Sequence, residues 1–138
     1  MKLFAAFLLC LVLVPLGLAV YVRLAPSDPA RWHVDPLTAP DPDWPHFARV
    51  DRVVAQPPAI VAQSIARVAS IEGAELLAGD GQFGTWIART AIMAYPDYVS
   101  IRLIPDGTGT RIVALSRSRF GYSDGGVNRA RLGRWLPA

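Results

Sequence analysis

With 138 residues the chain has room for one domain and an appendage, and too little for a doubly wound nucleotide-binding sheet. One cysteine, Cys10, excludes an internal disulfide, and two histidines, His33 and His46, give little from which to build a metal centre. The net charge of +3 is mild but uneven: from Arg111 onward six arginines face a single acid, Asp124.

Residues 3–22, LFAAFLLCLVLVPLGLAVYV, carry no charge and stop at Arg23. A helix of that length rises about 30 Å, the thickness of a bilayer's hydrocarbon core. Gly17-Leu18-Ala19 has the small residues of a cleavage site, and Pro15 is placed to break the helix before it. The apolar run nevertheless continues through Val20-Tyr21-Val22, which favours a retained anchor over a cleaved signal. Tyr21 and Trp32 suit a membrane–water interface. Residues 1–23 are therefore expected to be a membrane anchor or signal segment. The expected location is single-pass in a membrane with the C-terminal domain extracytoplasmic; the alternative is secreted or periplasmic after cleavage. Cys10 follows bulky Leu9, which excludes a lipoprotein site, and reads as an apolar residue facing lipid.

Residues 24–47 hold six of the twelve prolines and no apolar period, the composition of a stiff, extended linker. Both histidines fall in it and read as solvated. Its aromatics, Trp32, Trp44 and Phe47, are expected on the membrane surface or the domain edge.

The domain proper is expected over residues 48–138. ARVDRVVA (48–55) alternates like a strand, and Pro57-Pro58 opens a helix whose stripe of Ile60, Ile65, Val68 and Ile71 ends at Gly73. Strands are expected at 74–78, 85–93, 97–104 and 110–119, joined by GDGQFG, AYP and PDGTG turns. A last helix is expected over about 125–136, with Ser123 or Asp124 as its N-cap. The order β-α-β-β-β-β-α with short connections gives an α+β fold: one curved antiparallel sheet with two helices on one face, preceded by an N-terminal transmembrane helix. That order resembles the TATA-binding-protein-like arrangement, and the strand-proline-helix opening resembles helix-grip lipid-binding domains. Both are likenesses of fold and carry no function.

Gly79-Asp80-Gly81-Gln82-Phe83-Gly84 spells G-x-G-x-x-G, but a strand follows it where a dinucleotide site needs a helix, so it reads as a hairpin loop and no cofactor is expected. Histidines on a linker meet neither the demands of a metal site nor those of a serine nucleophile. No close pair of carboxylates sits on one strand face, so no catalytic residue is assigned. Tyr95-Pro96 reads as a turn in which a cis bond is conceivable.

SRSRFGYSDGGVNRARLGRWL (116–136) is the most informative stretch. Strand alternation places Ser116 and Ser118 on one face and Arg117 and Arg119 on the other, without saying which face meets the helices. On the last helix Val127, Asn128, Leu132, Trp135 and Leu136 share one half, with Arg131 between Val127 and Asn128. Buried polar groups there need partners. One reading is a clasp in which Asp124 caps the helix and pairs with Arg117, Arg119 or Arg131. The other adds an anion, such as a lipid phosphate or carboxylate, brought to the helix N-terminus past Gly125-Gly126.

The string SRSRFGYSDGGVNRAR (116–131), preceded by YPDYV (95–99), resembles the signature of the family catalogued as domain of unknown function 1499. The resemblance covers about residues 48–136 and implies recurrent positions at Ser116, Arg117, Ser118, Arg119, Gly121, Ser123, Asp124, Asn128 and Arg129. Gly125 stands where larger residues are usual, which loosens the turn. The family implies no reaction.

The expected function is that of a non-catalytic, membrane-anchored envelope domain binding an anionic small molecule or lipid headgroup. The candidate ligand residues are Arg117, Arg119, Ser123, Asp124, Asn128, Arg129 and Arg131. The alternative is a carrier or scaffold taking a hydrophobic ligand between sheet and helix. Nucleic acid is excluded as a partner by compartment.

Overall fold

The computed structural model describes residues 2–91 and 94–138. Ile92 and Met93, at the end of the strand expected over 85–93, lie outside the described residues. The elements are α1 (Lys2–Leu24), α2 (Pro29–Trp32), β1 (Phe47–Val54), α3 (Pro58–Ile71), β2 (Glu75–Gly79), β3 (Phe83–Arg89), β4 (Pro96–Asp106), β5 (Gly109–Ser118) and α4 (Val127–Trp135). All strand pairs are antiparallel, in the order β1-β5-β4-β3-β2.

Local chemistry accounts for the punctuation. Pro58 sits in the first turn of α3, where its missing N–H costs nothing. The helix stops in a Schellman motif: Gly73, at φ +69°, donates to Ser70 O, and Ala74 donates to Ala69 O. Gly79 and Gly84 pair across the β2–β3 hairpin, where a Cβ on Gly79 would lie 2.0 Å from Phe83 O. The G-x-G-x-x-G string is thus a tight hairpin. Asp80 Oδ1 closes it by accepting from the N–H groups of Gln82 and Phe83.

One face of the sheet carries both α3 and α4. Val61, Ile65 and Ala69 of α3 and Leu132 and Trp135 of α4 pack with Val99, Ile101, Leu103, Ile112 and Ala114 of β4 and β5. Each of the Val, Leu and Ile side chains stabilises the fold by about 1.5–3 kcal/mol when fully buried. Glu72 ties the two helices together, accepting from Arg134 Nε at 2.6 Å and from Trp135 Nε1 at 3.0 Å.

The opposite face is covered by residues 25–46, so the segment expected to be a spacer is a strap packed on the sheet. Trp32 stacks on Tyr98 with centroids 4.1 Å apart, and His33 stacks on Phe83 at the same distance. His33 Nδ1 lies 2.9 Å from Thr85 Oγ1, which lies 2.9 Å from Ser100 Oγ. Asp35 pairs with Arg102 at 2.8 Å, and Arg49 binds Asp41 and the carbonyls of Pro36 and Ala39. The histidines are therefore bonded rather than solvated: His46 Nδ1 meets Gly121 O at 2.7 Å, and its carbonyl accepts from Ser118 N at 2.9 Å. Proline-rich sequence carries no periodic sign of this, because the strap packs through single aromatic anchors and not through a repeating stripe.

Among the described residues α1 is the one helix long and apolar enough to be a membrane span or a signal sequence. Pro15 lies inside it without ending it. Its described side chains are exposed until the last turns, where Val22 is buried and the Tyr21 ring meets Phe120 edge-on at 6.2 Å. The Tyr95–Pro96 bond is trans.

Candidate functional site

The approach to α4 is built by two glycines. Gly125 and Gly126 take φ of +59° and +86°, where a side chain is strained, so the helix begins at Val127 and not at Gly125. This double left-handed turn folds Asp124 back beneath the helix end. Its Oδ1 accepts from Gly126 N and its Oδ2 from Asn128 N, both at 2.9 Å. The N-cap residue is Gly126, so the expected cap by Asp124 is delivered from two residues further back. Burial works against the Asp124 charge, but these N–H donors hold its carboxyl below the usual range. The Gly126 and Asn128 donors that an external anion would use at this helix end are thereby already taken.

Asn128, fully buried, is the hub of a polar knot beneath α4. Its Nδ2 reaches Asp124 Oδ2 at 2.7 Å and both His46 O and Ser118 Oγ at 3.0 Å. Its Oδ1 accepts from Ser116 Oγ and from Arg131 Nη1. Arg131 in turn donates from Nη2 to Asp97 Oδ2 at 2.8 Å, a pair with side chains only 4% and 1% exposed. Of the expected clasp the structure has the cap by Asp124 but not the ion pair: Arg131 pairs with Asp97 of β4, and among the described residues Asp124 pairs with no arginine. Asp97 is absent from the expected site because, along the chain, Asp124 is the only acid near Asn128 and Arg131. The signal was available, since Asp97 is in phase with Val99, Ile101 and Leu103 on the core face, opposite Ser118. Asp97 Oδ1 has no hydrogen-bond partner among the described residues. Desolvation pushes its carboxyl above the ordinary range, opposed by the Arg131 charge; the Ser118 hydroxyl helps hold the charge without closing a bond to Oδ1.

Arg117 and Arg119 lie on the other side of the sheet, under the strap. Their guanidinium carbons sit 5.0 and 5.6 Å from the Trp32 ring centroid, and that of Arg31 sits at 5.1 Å. Arg119 Nη1 donates to Pro26 O at 2.8 Å, immediately beyond the end of α1. Among the described residues none of the three arginines has a carboxylate within ion-pair distance. Nε and Nη2 of Arg117 are buried without a hydrogen bond, and desolvation lowers its basicity, with the Arg31 charge adding to the effect.

The remaining expected residues scatter. Arg129 is exposed on α4, and Ser123 is exposed, with its Oγ 3.4 Å from Gly125 N. Arg111 pairs with Asp51 and Arg134 with Glu72. The C-terminal arginines thus do not gather at one point, because strand alternation and the helix direct them to different surfaces. A groove of about 270 Å³ between α3 and the sheet is lined by Ile65, Leu76, Trp86, Ile101 and Leu103.

The class this defines is an α+β domain: an open five-stranded antiparallel sheet, helices on one face, a strap on the other, and a polar knot beneath the last helix. The chain belongs to the family described as Protein of unknown function (DUF1499), whose model matches residues 25–138. The match begins at the first residue of the strap. No curated protein matches the chain in sequence. Among solved structures, that of TTHA0849 from Thermus thermophilus is similar at 15% identity, covering 64% of this chain and 84% of that one with a TM-score of 0.34.

Proposed function

We propose that α1 anchors this domain in a bilayer on its extracytoplasmic side, and that the strap-side arginines bind an anionic lipid headgroup there. The observation that carries this reading is the trio Arg31, Arg117 and Arg119 around Trp32, without a carboxylate, next to the carbonyls that follow α1. Guanidinium groups form forked hydrogen bonds to phosphate oxygens, and a partly desolvated one gains most from a counter-charge. Exposed Trp44 and Tyr122, packed edge-on at 4.9 Å, sit on loops flanking the Phe120 contact with α1, a composition suited to the headgroup layer. The α3 groove favours a hydrophobic ligand as a second reading, but at about 270 Å³ it falls below the ~300–1,000 Å³ of common ligand sites.

The test uses the full chain in neutral detergent micelles, with retained lipid counted by native mass spectrometry. Phosphatidylglycerol should be retained over phosphatidylcholine, less so at high salt. Replacing Arg31→Gln with Arg117→Gln should abolish the preference while the protein stays folded, since Nε and Nη2 of Arg117 make no hydrogen bond to lose. Equal retention of both lipids by the wild type, or an unchanged preference in the double variant, would reject headgroup binding. A phosphatase fused to the C-terminus should be active only if the domain is exported.

A further inference from the structure

A second site lies on the opposite side of the sheet, where the start of β4, the end of β5 and the turn before α4 enclose a pocket of about 380 Å³. Asp97, Ser118 and Asp124 give it polar groups; Tyr95, Phe120 and Val127 give it apolar ones. Among the described residues its lining contains two carboxylates and no cation. Arg131 answers Asp97 through Oδ2, and among the described residues the other oxygen is left without a donor. Two carboxylates against one guanidinium leave one negative charge uncompensated. Asp97 is 1% exposed, so its free oxygen is a buried acceptor lacking the hydrogen bond that such groups almost always have.

We propose that this pocket binds a small organic ammonium carrying an apolar or aromatic body. An ammonium supplies both of the missing elements at once, a positive charge and N–H donors for Asp97 Oδ1. The Tyr95 and Phe120 rings, with centroids 6.1 Å apart, form a wall that takes the apolar body; Phe120 already carries the Arg119 guanidinium carbon at 5.1 Å from its centroid, so Tyr95 is the ring that offers an ammonium cation–π attraction. Cavities of roughly 150 Å³ hold benzene, so this volume accommodates a ring with a short aminoalkyl chain. An anion is disfavoured here, where both acids repel it. The pocket's lining residues are other than those of the arginine trio, which it meets only across the Phe120 ring, where the Arg119 guanidinium carbon lies 5.1 Å from the centroid, so either reading can fail without the other. Phe120 also touches Tyr21 near the end of α1, so the ammonium can come from a free amine or from a lipid's ethanolamine headgroup.

The experiment titrates the full chain in neutral detergent with phenethylammonium, with the neutral isostere phenethyl alcohol and with phenylacetate, by calorimetry and by ligand NMR. Phenethylammonium should bind saturably, the alcohol about tenfold more weakly or worse, and phenylacetate not at all. Asp97→Asn keeps the shape and removes the charge, and should abolish the preference for the amine. Because that change also touches the Arg131 pair, Val127→Trp is the second variant: Val127 is 40% exposed at the start of α4, so the added ring fills the pocket without entering the core. It should abolish binding with an unchanged melting temperature. Equal affinity for amine and alcohol, wild-type binding by Val127→Trp, or no saturation at millimolar amine overturns the proposal. Competition by phosphatidylethanolamine in the micelle identifies a lipid headgroup as the source of the ammonium; undisturbed binding identifies a free amine.

Discussion

On the helix face of the sheet, the polar side chains of the knot are matched to one another except at Asp97 Oδ1. Asp124 has its N–H donors, Asn128 has acceptors and donors on both ends, and Arg131 has Asp97. On the strap face the same residue types stand differently. Arg102 and Arg49 are answered by Asp35 and Asp41, but among the described residues Arg117 and Arg119 meet only aromatic faces, carbonyls and the Tyr98 hydroxyl. A closed network fixes a helix in place, and a guanidinium left without a counter-charge is open to a ligand's. The contrast separates the arginines that hold the fold from those that have charge to offer.

The largest expected effect breaks the closed side. Arg131→Leu leaves the Asp97 carboxylate buried without its cation and should cost about 3–5 kcal/mol in urea unfolding. Adding Asp97→Leu should recover much of that loss, because the stranded charge goes with it. If the single change is as mild as the double, the pair does not hold the knot. Next comes the strap. Trp32 is 8% exposed, and Trp32→Ala should cost about 3–5 kcal/mol and open residues 25–46 to proteases. A strap that stays protected in that variant would mean that it is held by Asp35–Arg102 and the Arg49 bonds instead.

How much of this was legible depended on periodicity. The strands and α3 announced themselves through alternation, a proline at the helix start and Gly73 at its end, and they fall within a few residues of their expected bounds. The α+β order with both helices on one face followed from short connections. Register was within reach but not taken from the expected bounds, which end at 104 and resume at 110: the structure shortens the PDGTG turn to the two-residue loop Gly107-Thr108, which sets Asp106 opposite Gly109 and therefore Asp97 opposite Ser118. Counting back from that turn would have found the acid that Arg131 needs. It would also have shown Arg117 opposite Tyr98, hence on the face away from Asn128. Charge clustering along a strand is not clustering in space, since successive side chains part company at every residue. The strap had no such signal. Trp32, His33 and Asp35 are irregularly spaced, and their partners on β3, β4 and β5 are fifty or more residues away.

A smaller effect is expected at the cap. Asp124→Ala removes the acceptor for two backbone N–H groups and for Asn128 Nδ2 and should cost about 1–2 kcal/mol, read from the melting temperature. Arg129→Ala, one residue beyond Asn128 but exposed, should stay within about 0.5 kcal/mol of wild type. Equal losses would mean that the end of α4 is stabilised by charge alone, with no role for the folded-back carboxylate.

The smallest contrast is a slope with pH, and its sign differs between two carboxyls of the same knot. The Asp124 carboxyl is held below its ordinary value of 3.8, so its contribution is present above that value and is lost as pH falls through the folded one. The Asp97 carboxyl is raised above 3.8, so the folded state takes up its proton first. Its contribution is full below 3.8 and is lost as pH rises through the folded value. On acidification Asp97 therefore offsets part of what Asp124 loses. Asp97→Asn removes that offset, so its urea midpoint should fall more steeply than the wild type's between neutral pH and about pH 4. The comparison is of slopes, which sets aside any constant penalty from disturbing Arg131. Parallel curves would mean that the Arg131 charge fully balances the burial of Asp97, and the helix face would then hold no carboxylate with an unmet demand.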